Sequence, residues 1–289
     1  MVRESLPAPA AMSAQATQAI PSAASTCSPW TATPSRPCSR TCRRFAACLS
    51  GILVGGRLAR DMAVTNNDPL AALAAHALGF VKAGDVVGLG SGRAAFAFVR
   101  ALGARVRDGL RVRGVPTSEE TERLAREVGI DLVGLEAELE LTVDGADEVD
   151  GRLNLIKGHG GALVRERIVA AASRRQIILV TPDKLVETLG ARGPLPVEVL
   201  PFAAPFCRRR LEDLELKPTL RMLDERPFVT DNFNVIFDCA TGPIEDAARL
   251  EQTIRAIPGV IDTGLFLGTA AMVIVAEGSV VRELVRRSR

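Results

Sequence analysis

The sequence has no tyrosine, a single tryptophan, two histidines and six cysteines in 289 residues, and only 4% of it is aromatic. Four of the cysteines (Cys27, Cys38, Cys42, Cys48) crowd near the start, leaving Cys207 and Cys239 far apart in the remainder with no Cys-x-x-Cys spacing. A disulfide framework and a thiolate zinc site are thereby excluded, and a reducing, cytoplasm-like compartment fits. No apolar run reaches the roughly 18–20 residues of a spanning helix, since the longest candidate, 45–56, stops at Arg57. What is present, 47% hydrophobic and 24% charged residues, is ordinary globular usage over a length that accommodates one large or two modest domains.

The net charge of +2 is unevenly spread. Residues 1–61 hold seven arginines against Glu4 and Asp61, so the remainder is mildly acidic and offers no basic face for nucleic acid. The leader is rich in Ser, Ala, Pro and Thr and lacks periodicity, the composition of a segment that builds no core. Three accounts of it stand side by side: an Arg-rich organelle transit peptide; a signal peptide, with Arg43 and Arg44 ahead of the apolar 45–56 run; or translation beginning at Met62, which stands just before the first helix signal.

From Asp68 onward the punctuation is that of an α/β protein. Asp68-Pro69 opens a helix to about Phe80, residues 82–85 turn the chain, and 86–89 form a short buried strand before a glycine loop. A helix over 94–102, a strand over 111–115 and a capping box at 117–120 opening a helix to about Gly129 complete a β-α-β rhythm, which implies a parallel sheet. Strands over 139–143 and 176–180 flank a helix over 161–174. After Pro194 the pattern changes to a smaller α+β unit. Its strands are expected at 197–199, 228–230, 234–238 and 264–267, and its helices at 205–214 and 244–257. Residues 271–276 and a closing helix over 280–287 then return to the first domain. The expected fold is α/β, a Rossmann-like, mostly parallel sheet with helices on both faces plus a smaller ferredoxin-like α+β domain. The expected boundaries are a leader (1–61), a catalytic domain (62–193 plus 270–289) and a small domain (194–269).

Three stretches carry chemistry. Gly88-Leu89-Gly90-Ser91-Gly92-Arg93 lies between a strand and a helix, where backbone N–H groups and the helix dipole favour an anion such as phosphate. A dinucleotide fingerprint would place glycine at Arg93 and an acid after the next strand, and Val115-Pro116-Thr117-Ser118 offers none, so nicotinamide binding is not expected. Asp144 and Asp147 flank a Gly-Ala turn at a strand's carboxyl end, spaced to enter one cleft with divergent pKa values, or else to form turn contacts or await a metal. Lys157 enters the loop Gly158-His159-Gly160-Gly161, and Glu166 follows in the next helix, either facing the same substrate or solvated between Arg165 and Arg167. His159 is a weaker candidate base.

Together these runs resemble type A ribose-5-phosphate isomerase from about Asp68 to the C-terminus. The matching runs are 88–92, 143–148, 155–158, 160–163 with Arg165-Glu166, Leu-Pro-Val-Glu-Val at 195–199, Thr230-Asp231-Asn232, and Ile-Pro-Gly-Val at 257–260 with 263–266. The resemblance implies isomerisation of ribose 5-phosphate and ribulose 5-phosphate through an enediolate, with no metal or organic cofactor, by a cytoplasmic homodimer that binds neither nucleic acid nor membrane. By position Glu166 matches the general base, and Lys157, Asp144 and Asp147 match residues handling the sugar oxygens and ring opening. Lys184 matches a lysine near phosphate. Gly90, Ser91, Gly92, Arg93, Gly158 and Gly160 complete the expected binding set.

The chain also departs from that family. Arg93 and Ala94 stand where the loop usually ends in Ser-Thr, and Leu70 where many members carry a phosphate-binding lysine. His159 and Phe233 each replace a glycine. The alternative is a non-catalytic sugar-phosphate sensor, because related folds also serve regulators. Asp144, Asp147, Lys157 and Glu166 occurring together favour the enzyme, since a sensor has no use for a proton shuttle.

Overall fold

The computed structural model describes residues 68–286, so the leader and its four cysteines lie outside the described residues. Asp68 caps the first helix by accepting the N–H of Leu70 (2.9 Å), and Pro69 occupies the position where a missing N–H costs nothing. The chain then runs through α1 (Pro69–Leu78), β1 (Val86–Leu89), α2 (Arg93–Arg107), β2 (Arg113–Pro116), α3 (Glu119–Glu127), β3 (Asp131–Leu132) and β4 (Leu141–Gly145). Two short strands, β5 (Glu148–Val149) and β6 (Leu155–Ile156), precede α4 (Leu163–Ala172) and β7 (Gln176–Val180). Next come β8 (Leu195–Val199), α5 (Ala204–Asp213), β9 (Pro218–Leu220), β10 (Met222–Leu223), β11 (Arg226–Pro227) and β12 (Val235–Cys239). The last elements are α6 (Ala247–Arg255), β13 (Val260–Thr263), β14 (Leu265–Phe266), β15 (Ala270–Glu277) and β16 (Val280–Val285).

Seven strands form the main sheet in the order β16-β15-β7-β4-β1-β2-β3, parallel throughout except for the β15–β16 pair. The mostly parallel α/β sheet expected from the β-α-β rhythm is therefore present. Its strands are apolar on both faces, as burial between two layers requires. Val87, Leu89, Leu141, Val143, Ile177 and Leu179 pack with Leu73 of α1, Phe98 of α2 and Leu124 of α3. From the other face, Val86 and Val115 meet Val169 of α4, while Ile178, Val180, Val273 and Val275 meet Leu163 of α4 and Phe266.

A four-stranded antiparallel sheet, β13-β8-β12-β9, carries α5 and α6 on the face lined by Val197, Val235 and Phe237, and turns Ile236 of β12 toward the main sheet. A third, three-stranded sheet (β14-β6-β5) lies between the two in sequence logic: β6 runs into Lys157, and β14 follows β13.

The structure corrects four local expectations. The closing helix over 280–287 is instead strand β16, whose Val280 pairs with Glu277 across a two-residue Gly278-Ser279 turn with Gly278 at φ +59°. A glycine in a two-residue hairpin loop followed by β-branched residues outweighs a helical period only eight residues long. The strand expected at 264–267 is β14, paired with β6 rather than within the four-stranded sheet. The strand expected at 228–230 is reduced to one bridge, Val229 with Val235, beside an unforeseen β10–β11 hairpin. The cap of α3 is Ser118, one residue later than the Thr117 box predicts, and it accepts the N–H of Thr121 (3.0 Å). Cys207 and Cys239 are buried free thiols whose pKa values burial pushes up, that of Cys239 to about 12.

Candidate active site

In the parallel sheet the carboxyl ends of β1, β4 and β7 open onto a cleft of about 160 Å³. Open α/β sheets hold their ligands at this end of the strands. The cleft is lined by the β1–α2 loop and α2 start (Ser91 to Ala94), the β4 end (Gly145 to Asp147), Lys157, the glycines 158 and 160, Glu166, and the β7 end with Lys184.

The β1–α2 loop works by close approach. A Cβ on Gly90 would stand 2.2 Å from Asp144 Oδ1 and 2.6 Å from Asp144 Cα, so only glycine lets the two strand ends sit side by side. Gly92 takes φ +89° and starts α2 with no side-chain cap, which leaves first-turn N–H groups directed at the cleft. Ser91 donates its N–H to Asp144 Oδ1 (3.1 Å). Its hydroxyl lies 2.8–3.0 Å from those of Thr117, Ser118 and Thr121 and is fully engaged by them. Of the expected binding residues, then, Gly90 lies beneath the cleft and the Ser91 side chain is committed to the protein. Gly92, Arg93, Gly158, Gly160 and Lys184 line it.

At the base of the cleft is a buried charge cluster. Lys157 Nζ stands 3.0 Å from Asp144 Oδ2 and 3.2 Å from Glu166 Oε2, and donates to the carbonyl of Gly145 (2.7 Å). Apart from Lys157, Asp144 Oδ2 and Glu166 Oε2 have no polar partner among the described residues. Glu166 is 5% exposed and Asp144 wholly buried, so Asp144 sits behind the lysine and Glu166 faces the cleft. Burial pushes the Glu166 carboxyl up and the charge of Asp144 adds to it; Lys157 opposes both, and the outcome is a pKa of about 8. Burial also pushes Asp144 up, against Lys157 and two backbone N–H groups. For Lys157 burial alone would favour the neutral amine, but Asp144 and Glu166 outweigh it and hold the ammonium charged well above its usual range.

Asp147 stands at the cleft wall and accepts the N–H of His159 (3.0 Å). The His159 ring lies between Asp147 Oδ1 (Nδ1 at 3.5 Å) and the carbonyl of Pro194 (Nε2 at 3.0 Å), outside the cleft lining.

Several supporting residues were not foreseen. Buried Glu148 accepts the N–H groups of Gly190, Arg192 and Gly193, and Arg221 donates to the carbonyls of Gly158 and His159, fixing the glycine loop. Glu198, wholly buried, accepts from Thr230 and Asn234 (2.9 Å each) and so sets the 230–234 turn. Arg165 binds that turn through Asn232 Oδ1 and the Asp231 carbonyl. The partners are 32 to 67 residues apart, and nothing local in the sequence signals them.

The family model for ribose 5-phosphate isomerase A (phosphoriboisomerase A) matches residues 113–279. The chain is 52% identical over 220 residues to ribose-5-phosphate isomerase A of Thermomicrobium roseum, covering 75% of this chain and 92% of that protein. The chain belongs to the ribose-5-phosphate isomerase A family. With the Parvibaculum lavamentivorans member it shares 50% identity over 218 residues, covering 72% of this chain and 94% of that one. Among solved structures, ribose 5-phosphate isomerase A of Methanocaldococcus jannaschii superposes with a TM-score of 0.73 at 40% identity, over 76% of this chain and 99% of that one. A D-ribose-5-phosphate isomerase in complex with phospho-erythronic acid gives 0.73 at 37%, over 75% and 97%.

Proposed function

We propose that this member of the ribose-5-phosphate isomerase A family interconverts ribose 5-phosphate and ribulose 5-phosphate, with Glu166 moving one proton between carbons 2 and 1. The observation that carries this reading is the buried pair at the cleft base, a carboxyl 3.2 Å from an ammonium and open to the cleft. Glu166 takes the proton from carbon 2 of the open-chain aldose. The C–H electron pair forms the carbon 1–carbon 2 double bond, and the carbonyl pair moves onto oxygen 1. Lys157, held charged by Asp144, stabilises that oxygen. Returning the proton to carbon 1 while the hydroxyl proton on oxygen 2 passes to oxygen 1 leaves the ketose. A pKa near the working pH lets one carboxyl both accept and release that proton. Asp147 attends the sugar hydroxyls from the cleft wall.

The phosphate goes to the α2 N-terminus, between Arg93 and Lys184. Arg93 supplies a guanidinium fork where the side chains of Leu70 and Ala94 offer no polar atom. That another family member has been solved with phospho-erythronic acid supports a sugar-phosphate ligand. The enzyme uses neither metal nor organic cofactor and is a cytoplasmic homodimer. It has a Rossmann-like domain of 62–193 plus 270–289, with helices on both faces of its sheet, and a ferredoxin-like domain of 194–269. The β-α-β-β-α-β order of the four-stranded sheet supports the second domain. Among the described residues no helix is long and apolar enough to cross a membrane. A coupled assay with ribose 5-phosphate tests the reading. Turnover is expected; saturable binding of ribose 5-phosphate without turnover would overturn it in favour of a sensor.

A further inference from the structure

The two arginines of α4 flank Glu166, and one of them joins both halves of the charge pair. Lys157 follows β6, and its N–H donates to the carbonyl of Gly264 (2.9 Å), so the lysine backbone hangs on the 263–266 segment that ends β13 and forms β14. Glu166 comes from α4, on a separate stretch of chain. Arg167, the next residue in α4, turns about 100° away from Glu166 around the helix and reaches that same segment. Its Nη2 donates to the carbonyls of Thr263 and Leu265 (2.7 Å each), which flank Gly264. Its Nε pairs with Asp262, and Nη1 lies 3.5 Å from Glu251. The guanidinium carbon stands 4.1 Å from the centre of the Phe266 ring, and the same ring lies 5.7 Å from Lys157 Nζ.

We propose that Arg167 is a positioning residue for the isomerase reaction, a brace between α4 and the 262–266 segment that sets the separation of Glu166 and Lys157. The inference rests on the isomerase reading above. A planar group with five donors in a fixed fork is suited to hold a carboxylate and two carbonyls at once, which a lysine cannot do from one nitrogen. The fold does not depend on the brace alone. Helix α4 is also held by Leu163 and Val169 in the core and by Arg165 on the 231–232 turn. Asp262 and Glu251 keep a second cation, Arg255, at 3.9 and 3.7 Å. Loosening the brace therefore moves the pair rather than unfolding the chain, and displacements near 1 Å are enough to cost catalysis heavily.

The test compares Arg167→Met and Arg167→Lys with wild type for kcat and KM on ribose 5-phosphate, the pH profile of kcat/KM, and the melting temperature. Arg167→Met is expected to lower kcat roughly tenfold or more with KM within about twofold, and to move the acid limb to higher pH, because Lys157 no longer opposes the burial of Glu166 at full strength. Arg167→Lys keeps a cation beside Asp262 and Phe266 and is expected to fall between. Should Arg167→Met fail to fold, Arg167→Lys decides alone. A kcat within about twofold of wild type in the folded variants, a loss confined to KM, or a loss of kcat with an unmoved acid limb would overturn the proposal. Wild-type protein inactive on ribose 5-phosphate would overturn the isomerase reading itself, and this proposal with it.

Discussion

Glu166→Gln separates the catalytic from the structural consequences of a buried acid, because the amide keeps the shape of the protonated carboxyl and cannot ionise. Glu166 moves from 4.5 to about 8 on folding. The folded state therefore holds its proton more tightly than the unfolded chain, so the stability this group contributes is complete below pH 4.5 and is lost as pH rises to about 8. At about 1.4 kcal/mol per pH unit, full displacement amounts to roughly 4–5 kcal/mol above pH 8. Water entering the open cleft relaxes part of that, which brings the expected gain for Gln to about 2 kcal/mol.

In a chain of this size that is roughly 4–8 °C in melting temperature. Melting curves of wild type and Glu166→Gln from pH 4 to pH 9 should thus coincide at the acid end, diverge through the middle and run parallel above pH 8, with the variant more stable. Its turnover should fall on the order of a hundredfold or more at every pH, while wild-type kcat/KM rises through about pH 8 as the base loses its proton. A variant less stable than wild type at pH 9, or one that keeps near wild-type turnover, would refute the reasoning.

Replacing Arg93 with Ala should raise KM for ribose 5-phosphate by the roughly 1.5–3 kcal/mol of a charged hydrogen bond, with a smaller loss for unphosphorylated ribose; equal losses for the two sugars would return Arg93 to the solvent. Phe233 is 82% exposed and sits at φ +61°, a left-handed conformation that side chains with a Cβ resist, so Phe233→Gly should stabilise the protein by about 0.5–1 kcal/mol in a thermal melt. A lower melting temperature would show that the ring has a packing partner in solution. A chain beginning at Met62 should keep its specific activity, because the cleft residues run from Leu70 to Lys184. Insolubility or inactivity of that shortened chain would show that the leader contributes to the fold.

The parts of the fold legible in the sequence were those whose cause is local. Asp68-Pro69 announces α1 because cap and first turn are contiguous, and the β1–α2 loop is announced by glycines that the strand-to-helix turn itself requires. Strand β16 reads as a helix from the sequence because Arg282, Glu283 and Leu284 among its valines favour one. Its pairing with β15 supplies the missing information, and that partner lies across the two-residue turn. The β14–β6 pairing joins residues more than a hundred positions apart, and two-residue strands leave no period to read.

The candidate site divides the same way. Asp144 and Lys157 are legible in the sequence because they stand at a strand end and beside glycines, and Glu166 because it follows the Lys157 glycine loop in the next helix, but their ranking in depth is not. Only the third dimension puts Asp144 behind Lys157, with no exposure and 3.0 Å from the ammonium. The sequence likewise left Glu166 open between a cleft position and a solvated one flanked by two arginines. Both arginines turn out to be occupied, Arg165 with the 231–232 turn and Arg167 with Asp262 and two carbonyls. With its helical neighbours drawn away to other partners, Glu166 has the single cation Lys157 at ion-pair distance among the described residues. Because Lys157 is shared with Asp144, its charge cannot offset the burial of two carboxyls at once. Burial pushes both carboxyls up, and Glu166, with a pKa of about 8 at the cleft surface, is the one placed to exchange a proton with a bound sugar.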